Sequence, residues 1–329
     1  MIDTLITGML KIKYPIIMAP MFLISNEEML VAAHESGITG CVPSLNYRTP
    51  EELKAALAAI NKRTNGNFGV NLIVNKSNIN LKTHFPIVME SGVKFIITSL
   101  GSPKEVIEAA RKNNIKVFCD VVEEGYAKKV EDMGADGVIA VNSGAGGHAG
   151  EIPASILIPM LKKACKIPVI AAGGVGTGAG LLSMLSLGAD AISMGSPFIA
   201  TKEAPVGQDY KNACLQYGAK DIVKTTKLSG TPCTVIKTPY VEEIGTEQNF
   251  VENMLNKNKQ MKKYAKMFTA YKGMKLLEKA AFSASYKSVW CAGPSIEFTH
   301  EMSTIPAIVT KVMNEYDESH KLLAGLINK

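Results

Sequence analysis

The sequence predicts an α/β protein built on a TIM (β/α)8 barrel with a mainly helical insertion after strand 8. Three observations predict it. Eight short apolar, β-branched runs recur about 20–30 residues apart, the spacing of strand–helix units. The pieces between them carry helical periodicity. The glycine-rich turns close the last three runs, not the first. A doubly wound dinucleotide fold carries its glycine fingerprint at the first strand, whereas barrels commonly hold phosphate at the loops after strands seven and eight.

The eight runs are Pro15–Met21, Thr39–Ser44, Phe68–Val74, Phe95–Gly101, Lys116–Val122, Gly137–Gly144, Pro168–Val175 and Ala191–Ile199. Between the second and third, Pro50–Arg63 repeats Leu53, Ala56, Leu57 and Ile60 on one helical face. Pro103–Asn113 and Glu124–Met133 read the same way, the latter ending at the turn Met133-Gly134-Ala135-Asp136. Gly178–Leu187 follows the seventh run as a helix. After Ile199 the chain becomes richer in lysine and methionine. Residues 206–294 are therefore read as an insertion over the barrel mouth, with 1–205 and 295–329 forming the barrel.

The chain has 329 residues, and its 47% hydrophobic content can fill a sizeable core, which excludes a disordered chain. The net charge of +6 is concentrated: Met254–Lys279 holds eight lysines against one glutamate. There Met261, Tyr264, Phe268, Tyr271 and Met274 recur at helical spacing, so the lysines form a solvated face or a dock for an acidic carrier protein. Nucleic acid is not expected without a recognisable binding module. Six scattered cysteines without a Cys-x-x-Cys pair suit reduced thiols in a cytoplasmic protein better than a disulfide framework or a zinc site. No metal is expected. The N-terminus lacks a signal-peptide pattern. The uncharged stretch Ile167–Ala189 has six glycines and Pro168, so it reads as strand, turn and helix, not as a membrane span.

The candidate site lies in Asn142-Ser143-Gly144-Ala145-Gly146-Gly147-His148-Ala149-Gly150. His148 stands on a flexible loop at the C-terminal end of the sixth strand, where barrels place catalytic groups, and histidine suits general base work near neutral pH. His34, His84, His300 and His320 lack such a setting and read as surface or helix-face residues. Gly173-Gly174 and Gly195-Ser196 form two turns in which backbone N–H groups can approach an anion, with a helix start behind the first and the Ser196 hydroxyl at the second. No Walker-type Gly-Lys-Ser/Thr follows, which argues against a nucleoside triphosphate. Ala19, Pro20 and Met21 end the first strand and can line a flat ring. Asn71 is a polar residue in an apolar strand, and a buried amide needs partners that protein or cofactor can supply.

Together these motifs resemble the nitronate monooxygenase family, also called 2-nitropropane dioxygenases, to which the FMN-dependent type II enoyl-acyl-carrier-protein reductases are related. The resemblance rests on Ala19-Pro20-Met21, Gly69-Val70-Asn71, Ala145-Gly146-Gly147-His148-Ala149-Gly150, Ala172-Gly173-Gly174-Val175 and Met194-Gly195-Ser196-Pro197-Phe198. It implies a noncovalent FMN site. Ala19, Pro20 and Met21 then pass near the isoalloxazine, and Asn71 and Asn142 contact the ring or ribityl chain. Ser143 and Gly147 line the same loop. Gly173, Gly174, Gly195 and Ser196 hold the phosphate. His148 faces the substrate and takes the α-proton of a neutral nitroalkane, the nitronate being oxidised with O2 to a carbonyl compound and nitrite. The alternative is NADH-dependent reduction of enoyl thioesters or quinones.

Three positions depart from the family pattern. Gly144 stands where many members have glutamate, Pro197 where many have arginine, and Pro294 follows Ala292-Gly293 where many have glutamine. The first leaves the polarity of the pocket, and hence the substrate, open.

Overall fold

The computed structural model describes residues 2–75, 78–227, 232–247 and 289–327. Eight strands close into a parallel barrel in sequence order, the first pairing with the eighth. They are β1 (Ile16–Met18), β2 (Thr39–Pro43), β3 (Gly69–Ile73), β4 (Phe95–Ser99), β5 (Lys116–Val121), β6 (Gly137–Val141), β7 (Val169–Ala172) and β8 (Ala191–Met194). Each falls inside one of the eight apolar runs. The run residues left over after each strand belong to the loops of the barrel mouth.

Parity along the strands separates two cores. Ile17, Cys41, Phe95, Ile97, Phe118, Ile139, Ile170 and Ala191 fill the barrel interior. Alternate residues such as Val70, Ile96, Val117, Val138 and Val169 face the surrounding helices. Phe95 and Phe118 meet in the interior with ring centroids 5.5 Å apart. Gly69 makes room for them, because a Cβ there would stand 2.2 Å from the Phe95 ring. A short helix, α1 (Leu5–Leu10), adds Ile6 and Leu10 to the interior cluster and plugs the barrel ahead of β1.

The outer helices are α2 (Glu27–Glu35), α3 (Pro50–Thr64), α4 (Leu81–Glu90), α5 (Lys104–Lys112), α6 (Glu124–Asp132), α7 (Ala154–Ala164) and α8 (Gly178–Ser186). α3 shows how local sequence fixes them. Thr49 and Glu52 form a reciprocal capping box, Pro50 takes the first turn, and Asn65 ends the helix at φ +52°. Leu53, Leu57 and Ile60 are buried, and Ala56 is half-buried at the edge of their stripe. His84, expected at a surface or helix face, sits on α4 but is 1% exposed, because its face turns into the core.

After β8 come α9 (Gln208–Gln216), an antiparallel hairpin of β9 (Ile222–Thr225) and β10 (Cys233–Ile236), and α10 (Pro239–Ile244). Among the described residues this segment holds a two-stranded ribbon beside its helices, its strands being short β-branched stretches. The lysine-rich helix expected around 254–279 lies outside the described residues. The last helix, α11 (Ile305–Ile327), packs on α8 and α2 and takes the place of the barrel's closing helix. No helix among the described residues is long and apolar enough to cross a membrane.

Candidate active site

The loops at the C-terminal ends of β6, β7, β8 and β1 form one contiguous arc, and glycines set their spacing. Gly173 has φ +111°, and a Cβ on it would stand 2.3 Å from the Ala145 amide nitrogen. Only glycine lets the β6 loop and the β7 turn approach this closely. Asn142 is 2% exposed and ties the two together. Its Nδ2 donates to the Gly173 carbonyl at 3.0 Å, and its Oδ1 accepts from the Gly144 amide at 2.7 Å. The Asn142 side chain thus has a structural task that the sequence did not reveal. Gly195 joins β8 to β1, since a Cβ on it would touch Ala19 and the Met21 sulfur at 3.4 and 3.5 Å. Ala19 and Pro20 are half-buried on that rim.

Ser196 is also engaged by the protein. Its Oγ accepts from the Gly293 amide at 2.8 Å, which docks Ala292-Gly293 against Gly146. The hydroxyl proton stays available to an anion. The α8 N-terminus, expected to lend its positive end to a phosphate, is occupied instead: Gly178 N donates to Glu315 Oε2 at 2.9 Å and Gly180 N to Thr177 Oγ1 at 3.1 Å. The anion-binding capacity therefore rests on the turns themselves. Gly174 is exposed, and the amides of Gly174 and Gly195 donate to no acceptor among the described residues. Unpaired N–H groups on adjacent turns suit an anionic group such as a phosphate.

His148 rises from the β6 loop after Gly147, whose φ of +73° turns the chain. β10 braces this loop, the Thr234 amide donating to the Gly147 carbonyl at 2.8 Å. His148 is exposed, yet protein packed around it strips enough water to hold its pKa below the usual histidine value. The imidazole is then neutral near pH 7 and able to accept a proton. Ser143, next to Asn142, is half-buried, its amide donating to the Ile152 carbonyl.

Across the barrel, Asn71 is 8% exposed and faces inward on β3. Its Nδ2 donates to the Ile97 carbonyl at 3.1 Å and to Ser99 Oγ at 2.8 Å. Ser99 Oγ donates in turn to Asp120 Oδ2 at 2.5 Å. The sequence reading missed Ser99 and Asp120. The signal was present: Asp120 stands two residues after Phe118 and Ser99 two after Ile97, so both share the inward parity of the interior core.

The nitronate monooxygenase family model matches residues 3–315. The chain belongs to that family. A Rhodococcus jostii (3aS,4S,5R,7aS)-5-hydroxy-7a-methyl-1-oxo-octahydro-1H-indene-4-carboxyl-CoA dehydrogenase is 28% identical, covering 83% of this chain and 75% of the relative. A probable nitronate monooxygenase of Staphylococcus saprophyticus is also 28% identical, over 74% of this chain and 81% of its own. The structure of FabK from Thermotoga maritima superposes with a TM-score of 0.85 at 26% identity, covering 99% of this chain and 100% of that one. This member of the nitronate monooxygenase family is a flavin-type oxidoreductase on a TIM barrel.

Proposed function

We propose that this chain binds FMN and oxidises alkyl nitronates and nitroalkanes with O2 to carbonyl compound and nitrite, in the cytoplasm. The observation that carries the reading is the place of His148, on a glycine loop at the mouth beside two turns with unpaired amides. Gly173, Gly174, Gly195 and Ser196 would hold the phosphate. Ala19, Pro20, Met21, Asn71, Asn142, Ser143 and Gly147 would line the ring and ribityl chain. Bound FMN supplies the electron acceptor. His148 removes the α-proton of a neutral nitroalkane, whereas a nitronate has already lost it. Oxygen uptake and nitrite release are therefore measured with both substrates. His148→Ala is expected to lower nitroalkane oxidation about 100-fold or more, the scale of general base catalysis, while nitronate oxidation stays within a few-fold. Equal losses on both substrates would remove the base role.

A second reading is NADH-dependent reduction of an enoyl thioester or quinone. Two observations favour it. Gly144 leaves the pocket without the carboxylate that many family members carry, and one relative's name specifies a carboxyl-CoA substrate. Anaerobic bleaching of the flavin band by NADH, with turnover of an enoyl thioester, would establish it. A band unchanged by NADH leaves nitronate oxidation.

A further inference from the structure

Asp120 is a carboxyl group set apart from both His148 and the glycine turns. It lies on the inner face of β5 at the end nearest the mouth, two residues beyond the interior Phe118. Asn71 and Ser99 hold it in a hydrogen-bonded chain across three neighbouring strands. Ser99 satisfies Oδ2. Oδ1 takes no hydrogen bond from any described residue, and no lysine or arginine among them pairs with the group. The titratable groups within electrostatic reach of it are the Cys41 thiol, which shares the barrel interior, and the Cys119 thiol and Tyr126 phenol on the helix side, and none is a cation. Burial raises the Asp120 pKa to about 6, against the smaller opposing effect of the Ser99 hydrogen bond.

Resting on the reading of this mouth as an FMN site, we propose that Asp120 faces the cofactor as a neutral carboxylic acid and that FMN binding takes up a proton. With Ser99 donating to Oδ2, the proton resides on Oδ1, which becomes a donor. The flavin ring presents carbonyl acceptors to such a donor, while an ionised carboxylate would be covered without a counter-ion. A ring closing the mouth removes further water, so the acid form gains. The sign follows. Affinity for FMN is full while Asp120 is protonated in the free protein. It falls as pH rises through the free-protein pKa, by up to about tenfold per pH unit, until the pKa of the complex is reached.

The test is FMN binding to the apoprotein, followed by flavin fluorescence from about pH 5 to pH 8.5, for wild type and Asp120→Asn. Comparing the two at each pH cancels the titration of the FMN phosphate itself. The expected ratio of wild-type to variant Kd is near its minimum at the acid end and grows at least about tenfold by the alkaline end. Calorimetry in two buffers of different ionisation heat should show proton uptake by wild type that the variant lacks. Ser99→Ala, which removes the hydroxyl that stabilises the carboxylate, should move the wild-type break to higher pH and serves if the asparagine variant misfolds. A ratio that is flat with pH, or that falls as pH rises, overturns the proposal while leaving the FMN reading intact. Failure of wild type to bind FMN at any pH overturns both.

Discussion

An imidazole desolvated by its surroundings keeps its lone pair at neutral pH, and this decides what His148 can do. Its depressed pKa predicts that the acid limb of kcat/KM for a neutral nitroalkane falls below the ordinary imidazole value. The limb should be absent with a preformed nitronate. A pH profile on both substrates checks this, and an acid limb at or above the free imidazole value would contradict it. Gly173 is the other decisive residue. At φ +111°, with the Ala145 nitrogen 2.3 Å from a would-be Cβ, alanine is both strained and overpacked. Gly173→Ala is expected to cost about 1–3 kcal/mol or more and to weaken FMN binding, measured by denaturant unfolding and flavin release. The His148 and Gly173 motifs were legible in the sequence because their patterns are local: a histidine in a glycine loop and a paired glycine turn. Asp120 was hidden within an apolar run, because its meaning depends on which face of β5 looks inward.

At the scale of elements, the site is held by pieces distant in sequence. Gly178 at the start of α8 touches α11 backbone to backbone, since a Cβ there would stand 2.0 Å from the Tyr316 nitrogen and 2.3 Å from the Val312 oxygen. Gly178→Ala should pry α11 from α8 and lower the Tm, because rigid backbone has no rotamer with which to yield. An unchanged Tm would show that the two helices can separate without loss. The Ser196 hydroxyl fastens Gly293 to the β8 turn. Ser196→Ala leaves a buried amide without its acceptor, at a cost of about 1–3 kcal/mol, and should loosen the loop carrying His148 through Gly146. The helices and strands of the barrel were readable because periods of 3.6 and 2 are written along the chain. The β9–β10 hairpin was not, because its two β-branched strands are only four residues each and the chain around them carries no longer period.

At the scale of the whole molecule, Asp120 links stability to pH. An unfolded aspartate titrates near 3.8, whereas the folded group titrates near 6. The folded state therefore holds the extra proton between those values. Stability from this group is fully present below the unfolded pKa and lost as pH rises through the folded one, by up to about 3 kcal/mol. Asp120→Asn should make the apoprotein more stable at neutral pH, with the gain vanishing in acid. Urea unfolding at the two ends of that window checks it, and a gain independent of pH would point to packing instead.

The sequence by itself determined the barrel, the strands that build it, the glycine turns and the histidine, because each depends on periodicity or on backbone freedom within a few residues. The tertiary structure alone decided that Glu315 and Thr177 occupy the α8 N-terminus, that Asn142 and Ser196 tie the mouth loops together, and that Asp120 joins Asn71 through Ser99. Those pairings join residues up to 137 positions apart. Hydrogen bonds of that reach are set by the closure of the barrel and by the register of neighbouring strands, which no local pattern encodes.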